Sequence, residues 1–189
     1  MEEDSLMKPQ NGSLLISEPF LGDPNFERSV VLICSHEDAE GTFGLVLNRK
    51  SNLRLSDVID LKNDAFDVEL GIGGPVQYNT LHYVHRLPHL PQSIHLNEDV
   101  YWGGDFEMLQ TMIEAGIVSN NDIKFFLGYS GWTAGQLQKE IDENVWIVNN
   151  KAANKLFKLE PDKLWRSVLR QMGGKYKVLS NYPVDPRLN

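Results

Sequence analysis

Residues 123–141 read IKFFLGYSGWTAGQLQKEI, and the rest of the chain is most simply read as a scaffold around them. Ile123 to Leu127 is a β-branched and aromatic run bounded by Ser119-Asn120-Asn121-Asp122 and by Gly128, the pattern of a buried strand. Thr133 followed three residues later by Gln136 is a capping-box pattern, in which the Thr hydroxyl accepts the Gln136 N–H and the Gln side chain returns to the Thr133 N–H. A helix is therefore expected to start there. Leu137 and Ile141 lie one turn apart on its apolar stripe, with Glu140 and Glu143 elsewhere. Tyr129-Ser130-Gly131-Trp132 then reads as a strand-to-helix turn, whose free N–H groups could receive an anion or a carbonyl beside the apolar wall of Trp132. The structural alternative is that the glycines close the turn and Trp132 packs in the core.

Outward from this stretch, strands cluster early and helices late. Ser13 to Ser17, the continuous apolar run Ser29 to Cys34, and Thr42 to Asn48 read as strands. The second is expected to be buried on both faces, and the third to pair back on it like a hairpin across the polar SHEDAEG segment. Leu55 to Leu61 suggests a helical turn or two. Val68 to Ile72 leads into Gly73-Gly74-Pro75, and Thr80 to Arg86 is a further strand, followed by a loop broken by Pro88 and Pro91. Phe106, Leu109, Met112 and Ile113 follow helical spacing up to Gly116. Val145 to Val148 reads as a strand. Pro161, the stripe Leu164, Trp165, Val168, Leu169 and Met172, and the stop at Gly173-Gly174 define the clearest helix. The tail beyond, with Pro183 and Pro186, is expected to be extended, and residues 1–11 to form a flexible tail before one domain at 12–189. Short hairpin-like connections argue for an α+β fold with a mainly antiparallel sheet that curls on itself, the later helices packed outside.

Composition bounds the function. The 189 residues, 41% hydrophobic and 23% charged, suit a single globular domain with its own core. The formal charge of −8 opposes nonspecific attraction to nucleic acid and to anionic membranes, so direct nucleic-acid binding is disfavoured. The single cysteine, Cys34, sits in an apolar run as a buried thiol and suits a reducing cytoplasm. MEEDSLMK lacks a signal-peptide apolar segment and no later run spans a bilayer, so a cytoplasmic protein without membrane association is expected.

The motifs for chemistry are sparse. His82 and His85, three apart on a strand, point to opposite faces and cannot chelate one ion without a bulge. His36, Glu37 and Asp38 are adjacent in a polar loop, His89 and His95 flank prolines, and neither HExxH nor paired CxxC spacing is present, so no metal and no cofactor are expected. No phosphate-binding glycine motif occurs, and Pro75 removes an N–H from the Gly71 to Pro75 segment. Gly128-Tyr129-Ser130-Gly131 is GxSG, not the GxSxG of a nucleophile elbow. Ser130 with His36 or His85 and a carboxylate stays open as a spatial arrangement.

Several segments together resemble the YqgE/AlgH family: GSLLISEPFLGDPNFERSVVLICSHEDAEGTFGLVLNR, GGPVQ, the strand ending at His85, GYSGWTAGQLQKEI with Asn144 and Trp146, and LWRSVLRQMGG with the terminal Leu188-Asn189. The resemblance covers nearly the whole chain. It implies a compact fold with a bifurcated, partly barrel-like sheet and flanking helices, without a settled molecular activity. Some members carry a transcriptional-regulator label. The family's pattern falls on Asp23, Pro24, Phe26, Arg28, Ser29, His36, Gly44, Asn48, Gly73 to Val76, His85, Gly128, Tyr129, Gly131, Trp132, Gly135, Gln136, Leu137 and Glu140. The acidic residue common before the first histidine is Ser35 here, and Asn79-Thr80-Leu81 lacks the family's arginine. The leading expectation is a non-enzymatic binding or regulatory module for a small molecule or protein partner, monomeric or weakly homo-oligomeric. Its surface would gather Arg28, His36, Asn48, His85, Tyr129, Ser130, Trp132 and Gln136, polar and aromatic residues at strand ends and loops. The alternatives are a hydrolase using Ser130 or His36, which leaves the catalytic residue unassigned, and a DNA-binding regulator, which needs a basic face.

Overall fold

The computed structural model describes residues 8–62, 65–151 and 153–184. Its strands are β1 (Leu14–Ser17), β2 (Val30–Glu37), β3 (Gly41–Val46), β4 (Lys50–Arg54), β5 (Glu69–Ile72), β6 (Val76–His85), β7 (Ile94–Asn97), β8 (Val100–Trp102), β9 (Ile123–Trp132) and β10 (Trp146–Asn149). The helices are α1 (Phe106–Glu114), α2 (Gln136–Asp142), α3 (Pro161–Met172) and α4 (Gly174–Leu179), with single 3-10 turns at Leu55–Asp57 and Ala153–Phe157. The sheet runs β10-β1-β2-β3-β9-β6-β8-β7, antiparallel throughout this path. The fold class is α+β, as the early strands and late helices imply.

β9 is where the sheet forks. On one side it pairs with β6 along most of its length. On the other, Phe126 and Leu127 pair in parallel with β5, whereas Ser130 to Trp132 pair with β3. Gly128, at φ +67, sits between the two partners. That left-handed conformation is open to glycine and lets the strand bend while it continues. The stretch 129–132 is thus the second half of a strand and not a strand-to-helix turn, because β3 supplies a ladder that propensity alone does not reveal. The turn lies at 133–135, with Gly135 at φ +76 before α2.

Three apolar layers follow from strand alternation. Leu14, Ile16, Val30, Leu32, Leu45, Val84, Leu96, Val100 and Phe126, drawn from seven of the ten strands, converge on Leu164, Trp165, Val168 and Leu169 of α3. The intervening residues Leu15, Val31, Ile33 and Val46 face Leu137 and Ile141 of α2. Tyr83, Ile123 and Phe125 face Leu109 and Ile113 of α1. β2 is buried on both faces, as its unbroken apolar run demands. The sheet curls without a ladder between its edge strands. At one corner Asn97 Nδ2 donates to the Asn150 carbonyl at 2.9 Å, and a Cβ on Gly12 would stand 2.7 Å from the Leu96 carbonyl oxygen. α3 therefore fills the concave side of the curl, where the sequence reading put the later helices outside. Trp165 pins it there, its indole N–H donating to the Ser17 carbonyl at 3.0 Å.

Other boundaries moved for local reasons. β2 runs on through Ser35-His36-Glu37, so the hairpin turn is only residues 38–40. α1 carries an Asp105 side-chain cap on the Met108 N–H at 3.0 Å and ends before Gly116 at φ +70. Residues 174–179, expected to be extended, form α4 after the break at Gly173. Residues 8–11 are tied down: the Lys8 carbonyl accepts from Asn150 Nδ2 at 3.2 Å, and Asn11 Oδ1 accepts the His36 N–H at 2.8 Å. The rest of the expected N-terminal tail, residues 1–7, and residues 185–189 lie outside the described residues.

Candidate functional site

Two of the sequence-selected residues are joints of the fold. Ser130 is fully buried, and its hydroxyl donates to the Gly73 carbonyl at 3.1 Å, the same oxygen that accepts the Val46 N–H at 2.8 Å. Gly74, at φ +154, passes so close that a Cβ would sit 2.3 Å from Ser130 Oγ. The hydroxyl thus locks the crossing of the Gly73-Gly74 segment over the fork, and among the described residues no histidine or carboxylate is bonded to it, so its burial and its bond to Gly73 speak for a structural role. Trp132 is 6% exposed. Its indole N–H and that of Trp146 both donate to Glu140 Oε2, each at 2.8 Å, while Gln136 Nε2 donates to Oε1 at 2.9 Å. One carboxylate holds α2 onto the sheet through two buried rings, with Phe26 packed against both. Trp132 packs in the core, and it is not an open wall.

Arg28 and Asn48 form a separate knot. Asn48 Oδ1 accepts the Val30 N–H and its Nδ2 donates to the Arg28 carbonyl, both at 2.9 Å, across the bend where Arg28 adopts φ +48. The Arg28 guanidinium lies 4.7 Å from the Trp165 ring centroid and donates to the carbonyls of Tyr182 and Pro183. Burial, then the neighbouring Arg166 charge, lower its pKa. His85 is elsewhere again, fully buried opposite Ile123 at the start of β9. Its Nδ1 accepts the Leu87 N–H at 3.1 Å and its Nε2 meets the Gly103 carbonyl at 2.7 Å, which assigns the Nε2–H tautomer. Burial pushes its pKa down, against the Gly103 hydrogen bond. His82 lies on the other face, near Phe43 and Tyr129, as the period of two requires.

The structure does gather His36, Trp132 and Gln136 at one corner, where the β2–β3 hairpin, the end of β9 and the start of α2 meet, whereas Tyr129 packs with Phe43 and His82 on the other face of the sheet. His36 Nδ1 lies 2.7 Å from Thr42 Oγ1, and its Nε2 3.3 Å from Asp38 Oδ1. Thr42 stands opposite both His36 and Trp132 in the ladder. Gln136 Oε1 accepts the Thr133 N–H at 3.0 Å, the returning half of the capping box, while the Thr133 carbonyl and not its hydroxyl takes the Gln136 N–H. A recess of about 430 Å³ opens here, lined by Lys8, His36, Asp38, Thr42, Thr133 and Gln138 among others. A second recess of about 430 Å³ adjoins it through Glu37, Gly41, Thr42 and Thr133, with Phe43 and Tyr129 stacked at 4.6 Å on its wall. The His36 recess can offer hydrogen-bond donors and acceptors of both charges.

Two elements of these surroundings escaped the sequence reading. Thr42 carries no motif of its own, although counting back across the SHEDAEGT hairpin places it opposite His36. A cleft of about 290 Å³ at the fork, with Arg49, Lys50 and Lys124 on its lip, depends on the β5–β9 pairing and has no local signal.

The curled, forked sheet with α3 in its concavity defines a class of α+β domain seen in solved structures. A protein from Corynebacterium diphtheriae shares it with a TM-score of 0.75 at 21% identity, over 93% of this chain and 94% of that one. The AlgH protein from Pseudomonas aeruginosa matches with a TM-score of 0.71 at 29% identity, over 94% and 97%. A UPF0301 protein from Cytophaga hutchinsonii is 47% identical over 180 residues, 94% of this chain and 98% of the relative. A UPF0301 protein from Bacteroides fragilis is 40% identical over 181 residues, 96% and 92%. The AlgH-like family profile matches residues 14–177, and the chain belongs to that family. None of these names states a reaction or a ligand. Among the described residues no helix is long and apolar enough to cross a membrane.

Proposed function

We propose that the chain is a cytoplasmic, non-enzymatic binding module that recognises a small polar ligand in the His36 recess. The observation that carries this reading is the His36 ring, engaged on both nitrogens by Thr42 and Asp38 at the lip of a recess of about 430 Å³. A fixed imidazole presents a defined face, and Lys8, Asp38, Thr133 and Gln138 around it supply the complementary donors and acceptors. A single, buried cysteine, Cys34, with no intramolecular disulfide, fits the cytoplasmic setting. The test is a thermal-shift screen against nucleotides, metabolites and metal ions. A ligand at about 100 times its Kd raises stability by roughly 2.7 kcal/mol. A hit that His36→Gln abolishes supports the reading, and a hit that His36→Gln leaves intact contradicts it.

A second reading rests on the same geometry. Asp38, His36 and Thr42 are aligned as an orienting acid, a base and a hydroxyl, the arrangement that activates a nucleophile. Thr42 is only 7% exposed and its strand is paired on both sides, which favours binding over attack on a substrate. Turnover of p-nitrophenyl acetate that is lost in Thr42→Val would reverse that preference.

A further inference from the structure

We infer that the cleft at the fork of the sheet binds a small amphipathic anion, an apolar chain ending in a carboxylate or phosphate group. The cleft exists because β5 stays with β9 only at Gly71 and Ile72. β4 pairs with β5 along its other edge, at Gly71 and at Glu69, while upstream of Gly71 the ladder to β9 stops, and the cleft lies between Glu69-Leu70 and Ile123 to Phe125. The first turn of α3 and the 3-10 turn before it close the opposite wall with Leu156 and Leu164, and Leu47, Leu70 and Phe126 form an apolar floor. Gly71 lets the Phe126 ring approach the backbone: a Cβ there would stand 2.6 Å from that ring. At about 290 Å³ the cleft is at the small end of the roughly 300–1,000 Å³ range of ligand pockets, suited to a chain of about eight carbons.

The lip gives the cleft its sign. Arg49, Lys50 and Lys124 border it together with Glu69 and Glu160, three cations against two carboxylates in a protein whose formal charge is −8. None of the three cations forms an ion pair among the described residues, although the Arg49 guanidinium is held by the Glu27 carbonyl. An excess of cations at the mouth of an apolar cleft is complementary to an anionic head whose tail lies on the floor. The lysine stems can lie along the apolar walls while their ammonium groups stay at the rim, where the head would sit.

The test uses the full chain, labelled with nitrogen-15, titrated with octanoate, octyl phosphate, 1-octanol and inorganic phosphate. Saturable amide shifts confined to residues 69–71, 121–126 and 156–164 are expected for octanoate or octyl phosphate, and the stronger of the two identifies the head group. Octanol and inorganic phosphate should bind at least tenfold more weakly. Lys124→Gln should weaken the better anion about tenfold, and Lys124→Arg should restore it. The inference is overturned if neither octyl anion saturates, if octanol binds as well as the anions, or if Lys124→Gln leaves the affinity unchanged. Gly71→Leu, which fills the cleft, should abolish binding; retained anion binding in the folded variant would also overturn it.

Discussion

Replacing Glu140 by leucine removes the acceptor shared by Trp132 and Trp146 while keeping a good helix former in α2. Both indoles are buried, at 6% and 3% exposure, so each loses its partner without gaining bulk water on its own side. An unsatisfied buried donor costs about 1–3 kcal/mol. Glu140 itself is only half-buried, which lets water reach part of the gap, so the lower end of that range applies to each indole. The sum is about 2–4 kcal/mol. For a domain of this size each kcal/mol moves Tm by roughly 2–4 °C, giving a drop of about 4–16 °C. Glu140→Gln keeps one acceptor and loses the charge, and should cost about 1 kcal/mol. Urea denaturation followed by tryptophan fluorescence and by circular dichroism measures both variants. A folded Glu140→Leu protein within about 0.5 kcal/mol of wild type would refute the claim that Trp132 serves as a clamp on α2.

Acidification should also weaken the fold. Burial lowers the pKa of both His85 and His82, so the unfolded chain takes up protons first as pH falls below about 6.5. Stability is full above that pH and declines as the pH drops toward the folded values, and His85→Gln should flatten this decline in urea melts between pH 7.5 and 5.0. Gly74→Ala should cost at least about 3 kcal/mol, because its Cβ would meet Ser130 Oγ and the Tyr129 backbone at 2.3 Å in a conformation that disfavours side chains. Soluble yield and Tm report it. Asn48→Ala removes the acceptor of the Val30 N–H and the donor to the Arg28 carbonyl and should lower stability by about 1–3 kcal/mol. Burial raises the Cys34 pKa well above its ordinary value, so Ellman's reagent should label the native thiol only at the rate of unfolding.

Much of this architecture is legible in the chain because its strands and helices announce their burial. The unbroken SVVLIC run reads as a strand covered on both faces, and α2 and α3 do cover opposite faces of β2. Pro161, the Trp165 and Leu169 stripe and Gly173 mark α3 to the residue. What eludes a reading by periodicity is pairing at long range. Gly128 looks like the end of a strand, and only β3 and β5 competing for one side of β9 make it a bend in the middle. β4 is short, largely exposed and without apolar alternation, and the Ile94-His95-Leu96-Asn97 alternation of β7 spans only four residues.

The candidate site divides along the same line. Trp132, His36 and Gln136 meet because the β2–β3 hairpin folds beside β9, while Tyr129 faces the other side of the sheet. Arg28 and Asn48 are instead consumed in shaping the bend before β2, and His85 in anchoring Leu87 and Gly103. His85 and Trp132 sit at opposite ends of β9, nine residues apart, roughly 30 Å at about 3.3 Å per residue. Motif membership cannot distinguish a residue that shapes a bend from one that faces a recess. The hydrogen-bond partners do, since Asn48 and His85 have their polar atoms occupied by backbone groups.

The most direct test of the central claim is an amide spectrum of nitrogen-15-labelled protein recorded with and without a low-molecular-mass extract of bacterial cells. Perturbations centred on residues 36–42 and 133–138 are expected, and they should vanish in His36→Gln. Perturbations confined to the surroundings of Arg28 and Asn48, or of His85 and Gly103, would contradict the assignment of the His36 recess as the binding site.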